Sequence, residues 1–210
     1  MTYRNKSWIA FAFYTPGTRY EKLARRLAAS AQDHNIELSL VSVPSLGNWW
    51  ANCQLKPQMI ARALAENEAR HVLYIDADAW FCNYPALLDN YEYELAAYWL
   101  GHYRSLEEIA YYENCVCCAG TIWLHNNERT RAFIDSWCRI VSDMPGLFEQ
   151  DAFGQLYKEN RTGLHVALTL PPEYCAVCLP NDAGIILPEN PGLTMQDVVI
   201  AQGRQLMQID

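Results

Sequence analysis

The sequence predicts a single α/β domain over residues 1–210, with a mostly parallel central sheet flanked by helices. Three observations predict it. A chain of 210 residues is long enough for one well-buried domain and short for two of ordinary size. Its composition, 51% hydrophobic and 19% charged, lies within the globular range and away from the disordered one. The opening segment, through Val43, alternates an apolar run, an amphipathic stretch and a second apolar run, the order of a β-α-β unit in doubly wound sheets.

Trp8–Tyr14 is continuously apolar and stops at Thr15-Pro16-Gly17, as a buried parallel strand does on entering a turn. Arg19–His34 gathers Leu23, Leu27, Ala28 and Ala31 on one face and its basic residues on the other, which predicts a helix. Ile36–Val43 reads as the second strand, Gly47–Asn52 as a tryptophan-bearing loop and Gln54–Asn67 as a second helix. Val72–Ile75 is a short, wholly apolar strand that ends in Asp76-Ala77-Asp78. Strands are then expected at Glu94–Leu100 and Val116–Leu124, and helices at Glu128–Val141 and Gln150–Glu159, in a looser order than at the start. From Pro171 onward the chain reads as short strand-like pieces.

The net charge of −8 argues against affinity through a broad cationic surface, which nonspecific nucleic-acid binding requires. Met1–Lys6 is polar and the apolar run after it is short, so neither a signal peptide nor a membrane span is expected, and a cytoplasmic location follows. Eight cysteines without an export signal are expected to be mostly reduced. Cys115, Cys117 and Cys118 with Cys175 and Cys178 admit two readings, thiolates for a tetrahedral zinc or small core residues on strands.

Chemistry concentrates at Asp76 and Asp78. Open α/β sheets bind ligands beyond the carboxyl ends of their strands, where this pair falls. Two carboxylates spaced by one residue offer hard oxygens to a divalent cation, Mn2+ or Mg2+, that can bridge the phosphates of a nucleotide sugar. A solvated loop with two ordinary aspartates is the alternative.

The blocks Trp50–Ile60, Val72–Asp78, Pro85, Cys118–Leu124 followed by the helix with Trp137, and Glu149-Gln150-Asp151 come in the order found in GT-A-fold glycosyltransferases. The chain resembles the small bacterial and phage-like nucleotide-diphospho-sugar transferases with a DxD motif. That resemblance implies a GT-A-like, Rossmann-like domain, with Tyr14 and Thr15 near the nucleotide, Lys56 near the donor, and Asp76, Ala77 and Asp78 at ribose and metal. It places Ala119, Gly120 and Thr121 beside the transferred sugar, where a glycine lets the sugar approach the backbone. Gln150 and Asp151 would line the floor of the sugar pocket. Asp151 reads either as a base or orienting acceptor of hydroxyl hydrogen bonds, or as an acid suited to a helix start. Lys56 reads as a cation beside the leaving diphosphate or as a solvated helix residue. Trp49 and Trp50 read as a stacking surface for a sugar or base, or as packing against the sheet. Many relatives supply a further metal ligand, usually histidine, near the C-terminus. Here no histidine follows His165, and Gln202 stands roughly in its place.

The implied activity is hexosyl transfer from a nucleotide-diphosphate sugar, UDP-sugar favoured, to an acceptor hydroxyl on a glycan, a small molecule or a modified DNA base. The alternatives are a nucleotide-sugar-binding relative without turnover and a zinc-stabilised assembly module. Donor consumption separates the first, and metal that survives dialysis the second.

Overall fold

The computed structural model describes residues 3–99, 117–159, 163–166, 169–180, 186–188 and 193–203. Its main sheet has five strands: β1 (Trp8–Tyr14), β2 (Leu38–Ser42), β3 (His71–Ile75), β5 (Leu95–Trp99) and β6 (Cys117–Leu124), in the order β2-β1-β3-β6-β5. β1 pairs in parallel with β2 and β3, whereas β6 runs antiparallel to both β3 and β5. Four strands therefore point one way and β6 is reversed, which is the mostly parallel sheet expected.

Strand alternation divides the core. Phe11, Val72, Tyr74, Ala97 and Ile122 face one side, where they pack on α3 (Lys56–Glu66), α4 (Glu128–Asp143) and α5 (Glu149–Glu159). Trp8, Ala10, Leu73, Ala96 and Trp123 face the other, covered by Leu27 and Ala31 of α1 (Arg19–Asp33) together with Phe81 and Ile200. Those last two residues belong to a second sheet, in which β4 (Trp80–Phe81), β9 (Ile200–Gly203), β7 (Ala176–Pro180) and β8 (Ile186–Pro188) lie in that order. The strand-like pieces expected after Pro171 are β7, β8 and β9.

Two sequence readings change. The loop expected over Gly47–Asn52 contains a short helix, α2 (Trp49–Cys53), because the Asn48 side chain accepts from the Ala51 N–H at 2.8 Å and caps its start. Cys115 lies outside the described residues, and no three of the other proposed zinc thiols gather as a metal site, although Cys118 and Cys175 are hydrogen-bonded to each other. Cys117 packs on the α3 side of the sheet, Cys175 on the α1 side and Cys178 within the second sheet. The ends Leu100 and Val116 of two predicted strands also lie outside the described residues.

One irregularity positions the site. β5 pairs with β6 through Ala97↔Ile122 and resumes at Tyr98↔Cys118, so Ala119, Gly120 and Thr121 bulge out of that ladder. Their backbone groups are thereby available to other partners.

Candidate donor-binding site

The site forms where β3 ends beside this bulge. The Asp76 N–H donates to Gly120 O at 2.8 Å, which ties the acidic loop to β6. Asp76 Oδ1 accepts from the Tyr74 hydroxyl at 2.6 Å and lies 3.2 Å from Lys56 Nζ. Lys56 is 5% exposed, and its ammonium also meets Glu149 Oε1 at 3.0 Å and donates to Ala119 O at 3.1 Å. It is therefore not a solvated helix lysine. Burial disfavours its charge, but Asp76 and Glu149 outweigh that and hold it well above the usual lysine value. Glu149 is 1% exposed and its Oε2 has no partner. Burial pushes its carboxyl up to about 7, against the pull of Lys56.

Asp78 lies on the side of α1 and the second sheet. Its backbone carbonyl accepts from Arg26 Nη2 at 2.6 Å and from the Gly203 N–H at 3.3 Å. The Arg26 guanidinium lies over the Trp80 ring at 3.9 Å, so α1 clamps the loop that carries the aspartates.

Gln202 enters from β9. Its Nε2 donates to Thr121 Oγ1 at 2.7 Å and to Gly120 O at 3.1 Å, which turns the amide oxygen towards the acidic loop. Two glycines keep this corner open. A Cβ on Gly120 would lie 3.2 Å from both Asp76 Oδ2 and Gln202 Oε1, and one on Gly203 would lie 3.8 Å from Asp78 Oδ2. Among the described residues, no three histidine, cysteine or acidic side chains gather as a metal cluster. The side-chain oxygens at this corner are those of the Asp76 and Asp78 carboxylates and the Gln202 amide. Asp76 Oδ2 and Gln202 Oε1 bracket space that a methyl on Gly120 would fill, and hard oxygens of this kind fit a small divalent cation such as Mn2+ or Mg2+.

Of the residues singled out in the sequence, Lys56, Asp76, Ala77, Asp78, Gly120, Thr121 and Gln150 gather here. Gln150 Oε1 accepts from the Ala119 N–H at 3.3 Å. Tyr14 and Thr15 stand at the end of β1, on the same sheet edge as the end of β3; Thr15 is buried and its carbonyl accepts from Thr18 Oγ1. Asp151 is exposed on the first turn of α5, about 200° around the helix from Glu149.

The sequence reading takes Lys56, Gln150 and Asp151 as the catalytic candidates and passes over Glu149. A signal was present. Glu149, Ala152, Phe153, Leu156 and Tyr157 follow the i, i+3, i+4, i+7, i+8 spacing of a buried helix face, which turns Glu149 inward. The Trp137 indole N–H fixes that helix start by donating to Glu149 O at 2.8 Å. Lys56 is likewise in phase with Met59, Ile60, Ala63 and Leu64 on α3.

The fold recurs in known proteins. A glycosyltransferase involved in glycosylation of the major capsid of PBCV-1 superposes with a TM-score of 0.60 at 10% identity, covering 92% of each chain. The galactosyltransferase LgtC, solved with donor and acceptor sugar analogs, gives 0.54 at 12% identity over 94% of this chain and 88% of its own. The glycosyltransferase GlyE of Streptococcus pneumoniae TIGR4 gives 0.54 at 14% identity, covering 80% of this chain and 46% of its own. At these identities the likeness is one of fold. No curated protein matches the chain significantly by sequence. The family profile of nucleotide-diphospho-sugar transferases, however, matches residues 51–179. That stretch takes in Lys56, both aspartates, the β6 bulge and Glu149, and on it the chain belongs to the nucleotide-diphospho-sugar transferase family.

Proposed function

We propose that the chain is a metal-dependent hexosyltransferase that moves a sugar from a nucleotide-diphosphate donor, UDP-sugar favoured, to an acceptor hydroxyl. The observation that carries this reading is the convergence of Asp76 Oδ2 and Gln202 Oε1 over Gly120, next to Asp78 and Gly203, at the carboxyl edge of a sheet in a donor-sugar family. Asp76, Asp78 and Gln202 would hold Mn2+ or Mg2+. The bound ion would supply positive charge against the diphosphate as it departs.

The chain's own residues do the positioning. Lys56 and Tyr74 engage Asp76 Oδ1 and so leave Oδ2 for the cradle. The bulged backbone of Ala119–Thr121, held by Gln150 and Gln202, gives a sugar close access at Gly120. Tyr14, Thr15 and Ala77 lie along the same edge, where the nucleotide would extend. Asp151, exposed beside Gln150, is left for the acceptor side. Orientation and electrostatic stabilisation of the leaving group then carry most of the catalysis. All seven cysteines among the described residues are free thiols, which supports a reducing, cytoplasmic setting. Among those residues no helix is long and apolar enough to cross a membrane.

The test is thermal unfolding against a panel of nucleotide sugars, each with and without Mn2+, because a ligand that binds only the folded chain raises its apparent stability. Stabilisation that needs both metal and one donor is expected, followed by release of that nucleoside diphosphate. No response to any donor overturns the reading, and binding without donor consumption leaves a binding protein.

A further inference from the structure

Two adjacent tryptophans are held out of the core at the edge of this site. Trp49 is 43% exposed and Trp50 40%, and neither joins a buried cluster. Both rings meet one partner, Phe148, at centroid distances of 5.4 and 4.8 Å. The neighbouring residues are pinned. Asn48 caps α2, Asn52 Oδ1 accepts from the Leu46 N–H at 2.7 Å, and Gln54 Nε2 donates to Leu147 O at 2.9 Å. Leu55 and Leu147 pack against the core on either side. The indoles are thus presented on a braced support, and Leu46 and Met144, 54% and 53% exposed, leave further apolar surface open.

The platform adjoins the chemistry. Phe148 directly precedes Glu149 and Gln150, which touch Lys56 and the β6 bulge. Cys53 shares a helix face with Trp49 and Trp50, and the charges of Lys56, Asp76 and Glu149 all act on its thiol.

The local charges select the occupant. Between Val43 and Lys56, and between Asp143 and Ala152, the single cation is Lys56, buried and already paired with two carboxylates; Asp143, Glu149 and Asp151 are acidic. A polyanion would meet these acidic groups with no further cation in either segment. A neutral sugar ring brings an apolar face that stacks on indole and hydroxyls that need no counter-charge. Resting on the transferase reading above, we propose that Trp49 and Trp50, braced by Phe148, form the acceptor subsite, and that the acceptor is a neutral pyranoside.

Saturation-transfer NMR on the full chain with methyl glucoside, methyl galactoside, methyl mannoside, methyl N-acetylglucosaminide and lactose tests this, with UDP and Mn2+ present. At least one of these sugars is expected to bind. Trp50→Ala and Trp49→Ala should each weaken it by about ten-fold, and Trp50→Phe, which keeps a flat ring, should retain most of the affinity. Circular dichroism of each variant confirms that it is folded. If every sugar fails to bind, or binds the alanine variants as well as the wild type, the proposal is overturned. It is equally overturned if a DNA oligonucleotide or phosphatidylcholine vesicles bind through these tryptophans instead. The donor response in the unfolding panel reads the transferase assignment separately: its failure with sugar binding intact sinks that assignment and leaves the pyranoside platform, and the reverse result does the opposite.

Discussion

Gly120→Ala separates the donor cradle from the fold that carries it. The added methyl carbon would lie 3.2 Å from Asp76 Oδ2, 3.2 Å from Gln202 Oε1 and 3.3 Å from Gln202 Cδ. These are tight contacts, so the two oxygens must part by a few tenths of an ångström. A small divalent cation needs its oxygens at about 2.0–2.1 Å, in the space this methyl would take. Donor affinity in the presence of Mn2+ should therefore fall at least about ten-fold, or roughly 1.4 kcal/mol. Stability should move little. Replacing glycine in a strand gains about 0.5–1 kcal/mol of backbone entropy, which the local crowding offsets. For a chain of this size, 1 kcal/mol corresponds to a shift of about 2–4 °C in Tm. The assay is the apparent Tm of wild type and variant, titrated with the responsive nucleotide sugar at fixed Mn2+. Equal donor affinity in the two proteins, at equal starting Tm, would refute the placement of the cradle over Gly120.

Asp78→Asn should abolish the metal-dependent part of donor binding in the same titration and leave the unliganded Tm near wild type, because the hydrogen bonds from Arg26 and Gly203 to the backbone carbonyl of this residue survive the change. Normal donor affinity in that variant would remove Asp78 from the ligand set. Lys56→Met strands Glu149 and frees Asp76, and should cost about 3 kcal/mol in urea unfolding; adding Glu149→Gln should return part of the loss. A single variant within 1 kcal/mol of wild type would contradict that. Acid should weaken the fold through His71, whose Nδ1 accepts from the Asn126 N–H at 3.2 Å and whose ring stacks on His125 at 3.7 Å. Burial, with His125 adding to it, pushes His71 from 6.5 down to about 4, so its contribution is full above about 6.5 and is lost as pH falls through about 4. Glu149 acts in the opposite sense: its carboxyl rises from 4.5 to about 7, and its contribution is full below about 4.5 and lost as pH rises through about 7. His71→Asn keeps an acceptor without the titration, so the fall in Tm between pH 7 and pH 4 should shrink; an unaltered fall would exclude His71 as its source.

How much of this was legible beforehand follows from the range of the forces involved. Trp8–Tyr14 and Val72–Ile75 were readable because burial on both faces leaves a continuous apolar run, and the aspartates after Ile75 then had a place on the sheet. The α1 stripe was readable from its helical spacing, although Ala24 rather than Leu23 proved fully buried. The reversal of β6, its insertion between β3 and β5, and the bulge at Ala119–Thr121 depend on pairing between distant segments, which no local pattern encodes. Within the site, residue types were easier to find than directions. Glu149, Gln150 and Asp151 are three consecutive polar residues at a helix start, and only the helix phase decides which one turns inward. Phase was also the missing piece for Lys56. The exposure of Trp49 and Trp50 had no local signature, since tryptophan is as common in cores as at recognition surfaces.

The hydrogen bond from Gln202 to Gly120 spans 82 positions of sequence. Chains fold as they leave the ribosome, N-terminal parts first, so the five strands of the main sheet are all synthesised before β9 exists. The acidic loop and the bulge must therefore wait, already in place, for a strand made much later to bring the third oxygen. On the proposed reading, a nascent chain would carry two of the three oxygens offered to the metal, and would gain the third only once synthesis had passed Gln202.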